Sequence, residues 1–555
     1  MPCCLTGTIT LESGSPVRRC QPFARIVTLL RRETKTTHAR MSSLVTGRSA
    51  VQQRKSALLT SIAWYLPALA LAAMFGAAAA LGGNLMLVLA FGAMGGLALL
   101  FAPIQLVLGF FLSLTFLVVG PLTSIAHVKQ ATWAPFMIAF VLLMRVPMEW
   151  QHASKQNATN PAGSGKEISP VMLAIGAYFG LILISFMSNL PSPLQALVGG
   201  KLYVFIWGLF FLLVVSSVSP RSLEAMWKGL LVVAALQLPF ALYQRLFEVP
   251  RRYYAKGVTA LDAIVGTFQG SADGGANGAL AMFCVFSMAL ALALWRNRVL
   301  GVGATFVVVL SSLISIALGE VKVILVLFPL AFIVMNRKQI LRRPLHFLGT
   351  GAIVMAILGG VLSIYRDASI TGQKRSLFEH IETSFGYIFD PNNIQVDGEV
   401  GRFAALNLWY RDGRRTPQTF LVGYGPGASQ DSSTGRGVVA ARYTPLAINS
   451  TTAAGMLWDI GVLGLAALYA VLVIAFFEAL KLSNLGCIPP FHRAALEASA
   501  VVMGFVGVMV PYSRDLLTVS QHQVLFLLAL FQVVYWHSRS NGPNAHLATA
   551  ESSGR

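Results

Sequence analysis

Nine basic side chains stand between residues 365 and 448: Arg366, Lys374, Arg375, Arg402, Arg411, Arg414, Arg415, Arg436 and Arg442. Eight of them are arginine, a bias that solubility alone does not require. A guanidinium is a planar fork that grips phosphate oxygens through two parallel hydrogen bonds. The chemistry suggested is recognition of a diphosphate. Eight acids in the same stretch would also suit plain solvated surface. Residues 399–413 read as a helix, and 376–389 as another, with turns at "DPNN" and "TPQTFLVGYGPGAS". Arg402 and Arg411 are nine residues apart, about two and a half helical turns, and so face nearly opposite sides. Arg402 shares a stripe with Ala405, Leu406 and Trp409, at the border of an apolar face. A charge there needs an anionic partner, either a ligand or a structural ion pair.

Three more groups could do chemistry. In "ALGEVKVILVLFP", Glu320 and Lys322 sit between two apolar runs, as a site or as a short solvated turn. Arg251, Arg252 and Lys256 alternate with Tyr253 and Tyr254, a pattern for a phosphate and a sugar ring or for the headgroup layer. His380, in "SLFEHIETSFGY", has the right chemistry for a general base near neutral pH and equally suits a structural role. The segments carry no HExxH, CxxC or DxD pattern, so no metal is indicated, and no P-loop, so ATP hydrolysis is not expected. The five cysteines, Cys3, Cys4, Cys20, Cys284 and Cys487, form no disulfide framework.

The elements that must position these groups are membrane spans. Of 555 residues, 55% are hydrophobic and only 12% charged, which excludes a soluble, a disordered or a collagen-like chain. Apolar runs long enough to cross about 30 Å of hydrocarbon recur near 58–80, 85–102, 104–121, 133–148, 170–188, 202–218, 226–243, 275–295, 299–318, 323–336, 345–364, 449–477, 495–511 and 521–536. Each must be helical, because backbone groups in lipid find no water. The fold class expected is an all-α integral membrane protein of about fourteen spans with one large, partly helical outer loop. Residues 1–56 form a basic tail of net charge +8, expected to be disordered, and starts at Met1 or Met41 both fit. Spans 1–11 occupy 57–364, the large loop 365–448, spans 12–14 residues 449–536 and a second tail 537–555. Two outer segments, 244–274 and 365–448, exceed what a connection needs. With both termini cytoplasmic, the inner side carries +17 of the net +20 and the outer side +3. The basic excess is therefore a topology signal, and nucleic acid is not an expected partner.

In order, these segments resemble the bacterial O-antigen polymerase and ligase superfamily over roughly 200–470. "VGTFQGSADGGANGALAMF" is similar to that family's Gly-Thr-Phe turn entering a span, and "GEVKVILVLFP" to its outer span end with a basic residue. Arg402 and Gly413 enclose ten residues, as in the polymerases' R-x10-G pattern; "FLVGYGPGAS" resembles the family's Gly-rich turn. "INSTTAAGMLWDIGVLGL" resembles the His-Asn…Glu-x-Gly-x-x-Gly-Leu stretch opening the next span. Two departures matter. Asn449 stands where ligases usually carry His, which favours a polymerase. Arg251 to Gly266 encloses fourteen residues, not the fifteen of the second polymerase pattern.

The resemblance implies a glycosyltransferase of the inner membrane, working at its periplasmic face. It would move a glycan from an undecaprenyl-diphosphate carrier onto a second lipid-linked repeat, without nucleotide sugar, cofactor or metal. The implied catalytic set is Arg402, Glu320, Lys322 and His380, with the proton acceptor either Glu320 or His380. The implied substrate-binding set is Arg251, Arg252, Arg411, Tyr424 and Asn449. Implied partners are the lipid-linked oligosaccharide, membrane lipids, a chain-length regulator and export proteins. The competing readings are an O-antigen ligase acting on lipid A-core, a transporter or flippase for lipid-linked sugars, and a structural scaffold. Transporters tend to show related halves and broken mid-membrane helices, and no related halves are evident.

Overall fold

A computed structural model describes residues 95–159, 168–216, 218–251, 264–271, 274–319, 323–342, 390–395, 398–432 and 435–540, with Val321 and a few single positions between 345 and 389. The chain divides into two compact units, 1–98 and 99–555. Of the first, only the helical residues 95–98 are described.

The second unit is mostly helical. In chain order its helices are α1 (Ile104–Ser124), α2 (Ala134–Thr159), α3 (Pro170–Asn189), α4 (Pro193–Phe205), α5 (Trp207–Val215), α6 (Pro220–Arg251), α7 (Asn277–Arg296), α8 (Val302–Gly319) and α9 (Ile324–Arg342). The loop helices α10 (Arg402–Arg411), α11 (Pro417–Val422) and α12 (Val438–Arg442) follow. The chain ends in α13 (Thr452–Leu482), α14 (Pro490–Met509), the short α15 (Asp515–Thr518) and α16 (Ser520–Ser540). Two small antiparallel hairpins interrupt them: β1 (Gly270–Ser271) with β2 (Gly274–Gly275), and β3 (Asp431–Ser432) with β4 (Gly435–Arg436).

Local sequence explains the helix starts. Ser169, Ser192 and Ser219 each accept a backbone N–H of the first turn and are each followed by proline. Proline at the first position wastes no N–H, and its φ is already helical. Thr416-Pro417 repeats the device with a reciprocal Thr416–Thr419 box. Residues 417–422 are therefore helical, and the turn predicted across this stretch begins only at Gly423.

Eight described helices are long and apolar enough to cross a membrane, or nine if α4 and α5, bent by 42°, count as one span. The predicted spans 58–80, the start of 85–102 and most of 345–364 lie outside the described residues. The predicted span 323–336 lies in α9, and 521–536 lies in α16, which is long enough but falls short of that apolarity test. The reason is position. From Ser520 to His537 every residue of α16 is buried, so its surroundings are protein, and polar groups are tolerated where partners exist. Gln532 accepts from the Trp227 indole at 3.0 Å, the Tyr535 hydroxyl donates to the Val218 carbonyl at 3.0 Å, and His537 meets Glu478 at 2.7 Å. Around α16 stand α5, α13 and α14; α14 also packs on α7, and α13 on α3.

One boundary changes the outer-loop prediction. The segment 244–274 does not begin as a loop, because α6 runs on to Arg251 through a π-helical turn at Gln244–Glu248. That turn faces Gln244 inward, where its amide binds a buried loop. Its Oε1 accepts from Val265 N and Gly266 N at 2.9 and 2.7 Å, and its Nε2 donates to the Gly266 carbonyl at 2.8 Å. About two turns earlier Gln237 accepts from Thr267 N at 2.9 Å and donates to the Thr267 hydroxyl at 2.8 Å. Two glutamines thus satisfy a non-helical backbone that no water reaches.

Candidate functional site

The Gly-rich turn is built around one carboxylate. Asp459 is fully buried in α13, and its Oδ1 accepts from Ser429 N at 2.7 Å. Its Oδ2 accepts from Gly427 N at 3.1 Å and from the Tyr203 hydroxyl at 3.0 Å. The turn holds Gly423, Gly425 and Gly427 at positive φ, which lets successive N–H groups converge on one acceptor.

The helix opens to receive it. Gly461 lies at φ 69°, a break inside α13, and a Cβ there would collide with the Leu421 carbonyl. The break releases the preceding carbonyls from the helical ladder. The Trp458 carbonyl accepts from Tyr424 N at 2.8 Å, and the Asp459 carbonyl accepts from the Ser185 hydroxyl at 3.0 Å. Asn189 of α3 donates to the Gly423 carbonyl at 3.2 Å. The loop is therefore stitched to α3, α4 and α13 by polar bonds.

Beside this turn, five chain segments meet. Thr452 N and Oγ1 both donate to the Ser513 carbonyl, at 2.9 and 2.8 Å, which joins the start of α13 to the turn after α14. Arg402, the first residue of α10, lays its guanidinium over the Tyr512 ring at 4.1 Å. Asp515 feels the charge of Arg402 and Arg514 and accepts from Ala279 N in the first turn of α7. Enclosure by protein raises the Asp515 carboxyl above its ordinary range; the Ser513 hydroxyl and the two arginines oppose that rise. Gln269, from the buried loop after α6, donates to the Thr518 carbonyl at 2.6 Å. One end of the bundle thus gathers Arg402, Tyr512, Asp515, Gln269 and the opening of α13.

The predicted helix over 399–413 is α10, and the stripe behaves as its spacing requires: Ala405 and Trp409 are buried and Leu406 is half-buried. Arg402 is half-buried, and Arg411, at the other end of the helix, is exposed. Tyr424 is buried; its hydroxyl donates to Asp412 at 3.2 Å and its ring lies 5.0 Å from the Arg442 guanidinium. Asn449 is buried and donates to Gln430 at 2.8 Å, beside Ser429 and Gly455. Arg251 ends α6, exposed, 4.0 Å from Glu248. Glu320, Lys322, His380 and Arg252 lie outside the described residues; neighbouring Gly319 and Val321 lie close to each other, with Gly319 near Ile264.

The arginine set divides. Arg415 bonds the Trp409 and Tyr410 carbonyls at 3.1 and 3.2 Å and covers the stacked Trp409–Phe420 pair, so it closes the end of α10. Arg436 pairs with Asp431 across the β3–β4 hairpin. Arg402, Arg411 and Arg414 remain without a carboxylate in salt-bridge reach among the described residues. Gly413, which closes the R-x10-G spacing, has open space where a Cβ would stand and no positive φ. Nearby, burial and then the Asp412 carboxylate push the Tyr443 phenol up.

Sequence reasoning missed Asp459, Asp515, Tyr512, Gln269 and the start of α16. Gln521 Nε2, both ring nitrogens of His522, Gln523 Oε1 and Gln269 Oε1 are buried with no hydrogen-bond partner among the described residues. The signal was present: "SQHQ" places four polar residues at the head of an apolar run. Buried polar groups without partners call for an explanation, and a substrate contact is one. No group of His, Cys, Asp and Glu among the described residues could hold a metal ion. A scan against protein-family profiles finds no match to this chain, and a search of curated proteins finds none either.

Proposed function

We propose that this protein is a membrane-embedded glycosyltransferase that extends a glycan carried on a polyprenyl diphosphate. The observation that carries the reading is the Arg402 guanidinium, half-buried on Tyr512 near the Gly-rich turn, with the charge of Asp515 felt but no carboxylate in salt-bridge reach among the described residues. A stacked arginine keeps its fork free for a phosphate, and a partly desolvated one binds it more strongly than in water. In the reaction, an acceptor hydroxyl attacks the anomeric carbon, the bond from that carbon to the diphosphate breaks, and the hydroxyl proton passes to a base. Arg402 would hold the diphosphate and stabilise the charge that develops on it as it leaves. Exposed Arg411 and Arg414 would guide the anion to the same end of the bundle. The base is Glu320 or His380, as the family resemblance implies.

The test is incubation of the purified full-length protein with a lipid-linked repeat unit. A ladder of longer products is expected, and Arg402→Ala is expected to abolish it while the variant stays folded in detergent. A normal ladder from that variant would remove Arg402 from the mechanism. One-step transfer to lipid A-core would replace the polymerase reading with a ligase.

A second reading has an observation of its own. The break at Gly461 and the 42° bend between α4 and α5 are discontinuities of the kind transporters use at their binding sites. Movement of labelled lipid-linked repeat across vesicles, with no new glycosidic bond, would establish that reading instead.

A further inference from the structure

At the opposite end of α7 from Asn277 lies a polar cavity of about 260 Å³, between α7, α9, α14 and the turn after α13. Twenty helical residues at 1.5 Å each place it about 30 Å from the Asp515 end, roughly the thickness of a bilayer's hydrocarbon core. Its walls carry Arg296, Arg337, Lys338 and Arg493 against a single carboxylate, Glu497. Glu497 is already shared: it pairs with Arg296 and stands 3.5 Å from Arg337. Arg337 also donates to the Ser483 hydroxyl at 2.8 Å. Among the described residues Arg493 and Lys338 have no carboxylate in salt-bridge reach, and Arg493 Nε is buried with no hydrogen-bond partner. The cavity wall is therefore three positive charges in excess.

Arg296 and Lys338 are exposed and Arg337 and Arg493 half-buried, so water reaches part of this charge; the excess, gathered between helices at a bundle end, draws an anion into the space. We propose that this cavity is a phosphate-binding site, taking the phosphodiester of an anionic lipid headgroup or a free phosphate. Ser483, Asn297 and Asn336 supply neutral hydrogen-bonding groups to the same space. The volume suits a headgroup-sized anion rather than a large ligand. The site does not depend on the glycosyltransferase reading, because it shares no residue with the Arg402 end.

The test uses the full-length protein in detergent, with lipid adducts read by native mass spectrometry and inorganic phosphate by thermal shift. Phosphatidylglycerol is expected to be retained over phosphatidylcholine if the source is lipid. A rise in melting temperature with inorganic phosphate, without lipid preference, is expected if the source is free phosphate. In either case Lys338→Gln with Arg493→Gln should lower retention or apparent affinity at least fivefold, and Lys338→Arg with Arg493→Lys should restore it. Neither pair touches Glu497's partners, so folding should hold, and unchanged melting without ligand checks that. Equal binding of both probes by wild type and the Gln pair, or no binding by wild type, would overturn the proposal.

Discussion

At the residue scale, Asp459 does most to shape the candidate site without facing a substrate. Replacing it with alanine strands Gly427 N, Ser429 N and the Tyr203 hydroxyl in a buried space. A stranded buried donor costs about 1–3 kcal/mol, so Asp459→Ala should lose about 3 kcal/mol or more. Tyr203→Phe removes one bond and should cost about 1 kcal/mol alone, and little or nothing in the Asp459→Ala background. Denaturant unfolding in detergent of the two single variants and the double variant would measure that coupling. Additive losses would mean that Tyr203 acts elsewhere. Asp515 gives a pH prediction. Its raised carboxyl binds a proton more tightly in the folded than in the unfolded chain, where about 3.9 is ordinary. The folded protein should therefore lose stability as pH rises from that ordinary value through the raised one. Asp515→Asn should flatten this dependence, as melting temperatures of both proteins across pH 3.5–7 would show. Parallel profiles would contradict it.

Among the elements, the extension of α6 through its π-helical turn matters most. Without it Gln244 would not face the loop at 265–266, and three backbone groups there would need other partners. Gln244→Leu keeps the apolar packing but leaves two N–H groups and a carbonyl unpaired. The expected cost is about 2 kcal/mol or more, together with loss of glycan extension, since Gln269 follows directly and reaches Thr518. A variant with wild-type melting and activity would show that the loop holds without Gln244. The sequence made the end of an apolar run at residue 243 look like a span boundary, since glutamine, arginine and glutamate follow it. Only tertiary pairing reveals that those residues continue the helix. The helix α10 and the opening of α13 were legible because their apolar spacing and Thr451 cap are local.

Over the whole molecule, the apolar runs announced a helical membrane architecture, and their order located the Gly-rich turn and the start of α13. Long-range pairings were not legible. Asp459 meets Ser429 across thirty residues and Tyr203 across 256, and nothing in either segment names the other. Nor does an arginine count separate Arg402, stacked on an aromatic ring, from Arg415, which closes a helix end.

The enclosure of α16 has a consequence for how the chain is made. A segment that opens with Ser-Gln-His-Gln and ends with His-Ser-Arg-Ser is a poor candidate for entering lipid on its own. Its route into the membrane should depend on earlier helices being in place to receive it. Fused alone to a glycosylation-tagged reporter, it should slip through the insertion machinery, whereas behind the preceding chain it should be retained. Efficient insertion of the isolated segment would show that its apolar middle is enough. Retention only behind the preceding chain would mean that biogenesis sets an order of assembly, in which α16 enters after the helices that enclose it.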